Sequence, residues 1–367
     1  MILTVNGGSS TIKCALFAQD DGPGPVATLD ETLPNGGPDA AVATVLSWLS
    51  AHGAPADVQI VVHRVVHGGE RFERACRVTP EVLSALDGLA PLAPNHLPGE
   101  IAVMRASMRA LPGATHLACF DTAFHRTLPD VARVLPLPGA RRYGFHGLSY
   151  AYLLSELERL AGAEAARGRV ILAHLGSGAS LAAVKDGRSV DTTMGMTPAG
   201  GLVMSTRSGD LDPGAVAHVM QAQGWSPADM DSAVTKHSGL LAISGRTGDM
   251  QELLALEASD EAAALAVRVF CYQVSKWMGA LTVALGGLDT VVFSGGIGEH
   301  ASEVRSRVAQ AISCLGLALD ADANARHADV ISTTGSRVTA RVIPTNEALV
   351  MARQATDLLR SEKGNTP

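Results

Sequence analysis

Along the chain, short β-branched apolar runs alternate with longer stretches whose apolar positions recur at helical spacing. The first such run reads Ile2-Leu3-Thr4-Val5-Asn6-Gly7-Gly8-Ser9-Ser10-Thr11-Ile12-Lys13-Cys14-Ala15-Leu16. Two apolar, β-prone segments flank an Asn/Gly/Ser turn, which predicts strand, tight turn, strand. Residues 170–184 repeat the pattern, with His174-Leu175-Gly176-Ser177-Gly178 at the turn. One such hairpin is unremarkable, because short motif matches are often fortuitous. A second copy suggests two similar domains. Glycine turns of this kind let the backbone approach a ligand, and their N–H groups and Ser hydroxyls can cradle an anion.

The rest of the pattern fits a mixed α/β chain. Residues 58–62 and 117–120 predict buried strands that run into His63-Arg64 and Asp121 respectively. Ligands in open α/β sheets sit beyond strand C-terminal ends, so these polar residues are placed for function. Apolar positions 153, 157 and 160 predict a helical face over 148–160, and 187–193 predicts a strand. A long helix is expected at 261–285. The strand 290–293 then ends in Ser294-Gly295-Gly296-Ile297-Gly298-Glu299, with a helix from about Ser302. Strand, glycines, helix suits a nucleotide phosphate. It is neither GxGxxG nor GxxxxGK[ST], and Lys13 falls within a strand after its glycines. A last helix, from about Ala352, is expected to pack on the first domain, with disorder from Ser361 onward.

Composition narrows the class. The 367 residues suffice for two domains, and 47% hydrophobic with 18% charged residues argues for a folded globular chain. A net charge of −7 argues against general nucleic-acid binding. Met1 runs directly into strand pattern, so no secretory leader is expected. The longest apolar stretch, 262–285, contains Arg268, Gln273 and Lys276, which suits a buried helix better than a membrane span. Five scattered cysteines without a CxxC imply reduced thiols in a cytoplasm and no zinc site. His63 and His67 have HxxxH spacing but lack the Glu or third ligand that zinc would require.

Several ordered motifs carry a resemblance. They are residues 6–13, His63-Arg64-Val65-Val66-His67-Gly68-Gly69, and Phe120-Asp121-Thr122-Ala123-Phe124-His125. They continue with Arg142-Tyr143-Gly144-Phe145-His146-Gly147, residues 174–180, and Thr206-Arg207-Ser208-Gly209-Asp210-Leu211-Asp212-Pro213. Residues 294–299 and Pro344-Thr345-Asn346-Glu347 complete the set. Together they resemble the acetate/propionate family of carboxylate kinases. The resemblance implies the α/β fold shared by acetate and sugar kinases, actin and heat-shock chaperone ATPases. In that fold two related domains flank a cleft that holds the active site. Their expected extents are 1–125 plus 349–367, and 126–348. The resemblance also implies a homodimer and Mg²⁺-dependent (or Mn²⁺-dependent) transfer of the ATP γ-phosphoryl group to acetate, giving acetyl phosphate and ADP. Acetate and ATP are the expected partners, with neither nucleic acid nor membrane.

The residues suit that chemistry. A carboxylate acceptor is already ionised, so it needs no general base; it needs cations, because an anion must approach an anion. Arg64 and Arg207 supply forked donors for carboxylate and phosphate. By resemblance, His146 is the transition-state histidine and Asp121 orients acceptor and metal. Glu347 is the Mg²⁺ ligand, with Asn6 nearby through bound water. Val66, Phe145 and Pro198 line the methyl pocket, with Asn95 where the family carries Leu. ATP falls to Ser10, Lys13, His174, Gly176, Ser177, Gly178, Asp249, Gln251, Gly295, Gly296, Ile297 and Gly298. Ser177 stands where the family usually has Asn, and Gln251 where it has Arg. The usual Glu before the glycine of Thr197-Pro198-Ala199-Gly200-Gly201 is missing, and the chain is shortened between Val26 and Ile60. The alternatives are a propionate or other short-carboxylate kinase, a pyrophosphate-using relative, a sugar kinase with Asp121 as base, and a non-enzymatic actin-like nucleotide sensor.

Overall fold

The computed structural model describes residues 1–7, 11–18, 24–33, 37–52 and 57–364. The chain divides into two compact units. Unit 1 comprises Met1–Arg126, Phe145–Tyr152 and Asn346–Pro367; unit 2 comprises Thr127–Gly144 and Leu153–Thr345.

Unit 1 holds a six-stranded sheet of β1 (Ile2–Gly7), β2 (Thr11–Phe17), β3 (Ala27–Thr32), β4 (Ile60–Val65), β5 (Cys76–Arg77) and β6 (Thr115–Phe120), in the order β3-β2-β1-β4-β6-β5. The expected hairpin is present: β1 and β2 run antiparallel, with Asn6 opposite Lys13. Alternation along the strands loads both faces of the sheet. Leu3, Val5, Ile12 and Leu16 pack with Val42, Val45 and Leu49 of the helix Pro38–Ala51. Ile2, Phe17, Val62 and Leu117 pack on the other face with Leu349, Val350 and Ala355 of the helix Glu347–Gly364. The last helix therefore does pack on the first sheet. Each fully buried Leu, Val or Phe contributes about 1.5–3 kcal/mol.

Unit 2 holds β7 (Val170–Leu175), β8 (Ala179–Lys185), β9 (Arg188–Thr192), β10 (Thr290–Ser294) and β11 (Thr339–Val342), in the order β11-β10-β7-β8-β9. β7 and β8 form the second hairpin, and β7 pairs in parallel with β10. In unit 1, β1 likewise pairs antiparallel with β2 and in parallel with β4. The duplicated plan inferred from two turns is thus present in two whole sheets. The helix Glu261–Leu285 lies at the expected residues, capped by the Asp260 carboxylate on the Ala262 and Ala263 N–H groups.

Four expectations need correction. The strand expected at 58–62 is Ile60–Val65, because parallel pairing with β6 continues to Val65 opposite Phe120. Leu160, placed on a buried helical face, is 36% exposed, an ordinary fate for a single Leu. The glycine segment after β10 is itself a short helix, Gly295–His300. Glycine disfavours helix, but tertiary bonds described below override propensity there. Finally, the chain stays helical from Ser361 to Gly364. The Ser361 hydroxyl donates to the Leu358 carbonyl, and Glu362 pairs with Arg77 on β5 at 2.7 Å, which ties the helix end to the sheet.

Candidate functional site

In unit 1 three predicted residues converge on the guanidinium of a fourth, Arg64. Arg64 on β4 meets Asp121, immediately after β6, in a two-pronged bond: Nε to Oδ1 at 3.2 Å and Nη2 to Oδ2 at 2.6 Å. Its Nη1 donates to Asn6 Oδ1 on β1 at 3.2 Å, and Glu347 Oε2 lies 3.7 Å from Nε. Asp121 is fully buried, while the Arg64 side chain keeps 18% of its surface. Burial alone would lower the Arg64 pKa, but Asp121 and Glu347 outweigh it and the group stays cationic. The Asn6 amide oxygen and the Glu347 carboxylate are hard donors on the same guanidinium, a set that fits Mg²⁺. Among the described residues no group of three His, Cys, Asp or Glu side chains is poised for a metal. An ion here would therefore keep much of its shell as water and phosphate oxygen, which is the habit of Mg²⁺.

The surrounding backbone is held by short ties. Val66 is buried, and its N–H donates to Glu100 Oε2 at 3.0 Å. The Gly68 N–H donates to the Thr122 hydroxyl at 3.0 Å. Phe145 is 1% exposed; its carbonyl bonds His125 Nε2 at 3.0 Å, and its ring meets the His67 ring edge-on at 5.4 Å. His146 has φ 57, a left-handed conformation uncommon for a residue with a side chain. Such strain persists only where neighbours fix it, and it concentrates at functional positions. Gly147 is one of those neighbours: a Cβ there would lie 1.9 Å from the Asp121 carbonyl oxygen, so only glycine lets this turn sit against Asp121. Asn95 is half-buried in the turn before the helix Leu97–Ala110. Ser10 lies outside the described residues. Lys13 pairs with Asp30 at 2.7 Å on exposed surface.

In unit 2 the second hairpin borders a cavity of about 530 Å³ lined by Gly176, Ser177, Ser205, Asp249, Met250, Gln251, Leu254, Gly296, Ile297, His300 and Ala301. Six of these are predicted residues; His174, Gly178, Gly295 and Gly298 do not line it. Gly176 N donates to the Gly178 carbonyl, closing the turn, and Ser205 N donates to the Ser177 carbonyl. Gly295, with φ 74, and Gly298 serve packing, since a Cβ on Gly295 would lie 2.7 Å from the Leu175 carbonyl. The Gly295 N–H is not open to a phosphate: it donates to Glu299 Oε1 at 2.8 Å, as does the Thr345 N–H at 3.2 Å. The C-terminal carbonyls of this short helix are tied as well. Arg305, fully buried, donates from Nη1 to the Gly298 and Glu299 carbonyls at 2.9 Å each and from Nε to Asn324 at 2.8 Å. Asp249 caps the helix Met250–Leu256, accepting from the Glu252 N–H at 3.0 Å, and so sets the pitch of Gln251 into the cavity wall.

Two further predicted residues meet in unit 2. Arg207 Nη1 donates to the Pro198 carbonyl at 3.2 Å. The loop carrying them is cross-tied, with Asp210 Oδ1 accepting from the Gly201 N–H at 2.7 Å. Gly239 lets the following helix close on it, since a Cβ there would lie 2.1 Å from the Met204 oxygen.

Sequence reasoning missed Glu100, Thr122 and Gly147 in unit 1, and Ser205, His300, Ala301 and the supporting Glu299 and Arg305 in unit 2. Ser205 adjoins the Thr206-Arg207 motif and could have been found by extending it. Glu100 and Arg305 carry no local signal, because charged residues on helices read as surface.

Comparison with known proteins gives four matches. The family model described as the Acetokinase family matches residues 27–353. The chain is 42% identical over 387 residues to an acetate kinase of Rhodopseudomonas palustris (strain TIE-1), covering 96% of this chain and 97% of that one. Its structure resembles the crystal structure of Porphyromonas gingivalis acetate kinase, with TM-score 0.86, 34% identity, and 98% and 99% of the two chains covered. It also resembles a propionate kinase from Francisella tularensis, with TM-score 0.90, 32% identity, and 96% and 98% covered.

Proposed function

The chain belongs to the acetokinase family, and from that premise we propose how its residues carry an acetate kinase's reaction, reversible transfer of the ATP γ-phosphoryl group to acetate. The observation that carries the reading is the convergence of Asn6, Asp121 and Glu347 on Arg64. Arg64 draws the acetate carboxylate, and Asp121 holds the guanidinium in the plane from which it can do so. Val66 and Phe145 in unit 1 are apolar walls suited to the methyl group, and Pro198 in unit 2 is a further apolar residue of that kind. His146 in unit 1 and Arg207 in unit 2 each suit the charge that develops on the equatorial phosphoryl oxygens, as phosphoryl transfer requires. ATP lies against Gly176, Ser177, Gly296 and Ile297, with Asp249 and Gln251 on the adenosine side. Asn6 and Glu347 would hold Mg²⁺, which would supply positive charge against the phosphates. No base is invoked, because the acceptor arrives ionised.

A hydroxamate assay with purified protein, ATP and Mg²⁺ over formate, acetate, propionate and butyrate tests this. Acetyl hydroxamate is expected as the main product; folded protein that yields none from any acid, yet phosphorylates a sugar, refutes the reading. Propionate is the second reading, favoured by the likeness to the Francisella tularensis propionate kinase.

We further propose a homodimer in the cytoplasm. The helix Glu261–Leu285 leaves Leu265 46%, Tyr272 66% and Val283 82% exposed at helical spacing, with Arg268 and Lys276 exposed between them, a mixed face that suits a second copy. All five cysteines are free thiols, as a reducing compartment keeps them. No helix among the described residues is long and apolar enough to cross a membrane. A single-chain mass by light scattering would refute the dimer.

A further inference from the structure

Glu100 sits in the first turn of the helix Leu97–Ala110 and is only 5% exposed. A carboxylate is a costly way to satisfy one backbone donor, since a neutral acceptor would do so without desolvating a charge. Yet its Oε2 accepts the Val66 N–H at 3.0 Å, two residues beyond Arg64 on the same strand end. The charged groups that face it from the packed elements are Arg64 on β4 and Asp121 after β6. Arg64 is already engaged by Asp121 and Glu347. Three carboxylates thus draw on one guanidinium, and Glu100 is the one that bonds the chain next to it.

We propose that Glu100 is a positioning residue for the acceptor: through the Val66 N–H it fixes the strand end that carries Arg64, and its charge sets how strongly Arg64 attracts an anion. This rests on the acetate reading above. Burial raises the Glu100 pKa to about 7, with Arg64 and the Val66 N–H holding it back and Asp121 adding to the rise. Its charge therefore changes within the working pH range. Protonated, Glu100 leaves the field of Arg64 to Asp121, Glu347 and the incoming carboxylate. Ionised, it competes with that carboxylate. Binding the acceptor accordingly favours the protonated form.

The test is KM for acetate, read against kcat and KM for ATP, between pH 6 and 8.5, where acetate stays ionised. In the wild type, KM for acetate should rise by about 3–10-fold across that range, the size expected of one nearby charge, while KM for ATP stays level. Glu100→Gln keeps an oxygen for the Val66 N–H and removes the charge; its KM for acetate should stay low and flat with pH. Glu100→Ala also removes the charge, so its KM should be flat with pH, but it loses the Val66 tie, so its kcat should fall, with the glutamine variant restoring kcat. A flat wild-type KM for acetate overturns the proposal without any variant, as does a glutamine variant that keeps the wild-type pH dependence. Wild type that makes acyl phosphate with a flat KM sinks only the role of Glu100. Wild type that makes none sinks the acetate reading itself.

Discussion

The two hairpins share a topology and differ in the groups gathered beside them. Beside β1–β2, the unit 1 cluster gathers Asn6, Asp121 and Glu347 on the Arg64 guanidinium, with Asp121 wholly buried. Beside β7–β8, the unit 2 cavity is lined mainly by glycines, a Ser turn and apolar side chains, and its loops are fastened from behind by Glu299 and Arg305. One plan has thus been worked in two ways. On the reading proposed above, unit 1 would recognise by charge, which acts with full strength only where water is excluded. Unit 2 would recognise by shape and backbone, which needs glycine to clear the way and a support to hold the loop still.

The sharpest way to break the contrast is a pair of truncations. Arg64→Ala removes a cation from the acceptor and strands a buried carboxylate, so kcat/KM should fall by roughly 10³ or more, the usual contribution of a cation in phosphoryl transfer. It should also cost about 3–5 kcal/mol of stability, since Asp121 loses its partner. Ser177→Ala should change kcat/KM less than about 5-fold, because its hydroxyl is exposed and its carbonyl still holds the Ser205 N–H. Steady-state kinetics with urea unfolding decides it: comparable losses in both variants would end the division into a charged half and a backbone half.

A smaller effect lies behind the charged half. His63 Nε2 bonds His116 Nδ1 at 3.1 Å, and burial, with help from His116, pushes the His63 pKa down to about 3. Unfolding frees it to titrate near its ordinary 6.5. The unfolded chain then binds more protons, so this contribution is full above pH 6.5 and lost as pH falls towards 3. One such proton gives a slope of about 1.4 kcal/mol per pH unit. His63→Gln should flatten the acid limb of stability measured in urea at pH 7, 5.5 and 4.5; a wild-type slope in that variant would place the acid lability elsewhere.

The smallest effect concerns Asn95, a polar residue where an apolar pocket wall was expected. Asn95→Leu should shift kcat/KM towards propionate over acetate by about 3–10-fold, the gain of roughly one buried methylene. A ratio that stays flat would remove Asn95 from the acyl pocket.

Much of this was legible in the sequence because period and turn chemistry act locally. The hairpin 170–184 and the helix Glu261–Leu285 fell where alternation and helical spacing put them. So did Asp121, which directly follows the strand Thr115–Phe120, whereas Arg64, expected past its strand, lies one residue before the end of β4. What stayed hidden depends on contacts distant in sequence. The helix Gly295–His300 opens on two glycines and is held through Glu299, which accepts from the distant Thr345 N–H, and through Arg305, itself anchored on Asn324. The burial of Glu100 exists only because the helix Leu97–Ala110 docks its first turn on the end of β4. The left-handed His146 is imposed by a neighbouring glycine pressed on the Asp121 carbonyl.

Arg305 has a consequence for how such a protein can change. It grips the Gly298 and Glu299 carbonyls from the buried side and does not line the cavity. The loop's shape is therefore inherited from a residue outside the cavity. On the nucleotide reading proposed above, variation at Ser177 or Gln251 would explore new nucleotides without putting the loop at risk, so selectivity and scaffold would be separately evolvable in unit 2. Unit 1 has no such freedom, because there the residues that would choose the ligand are also the ones that hold each other in place.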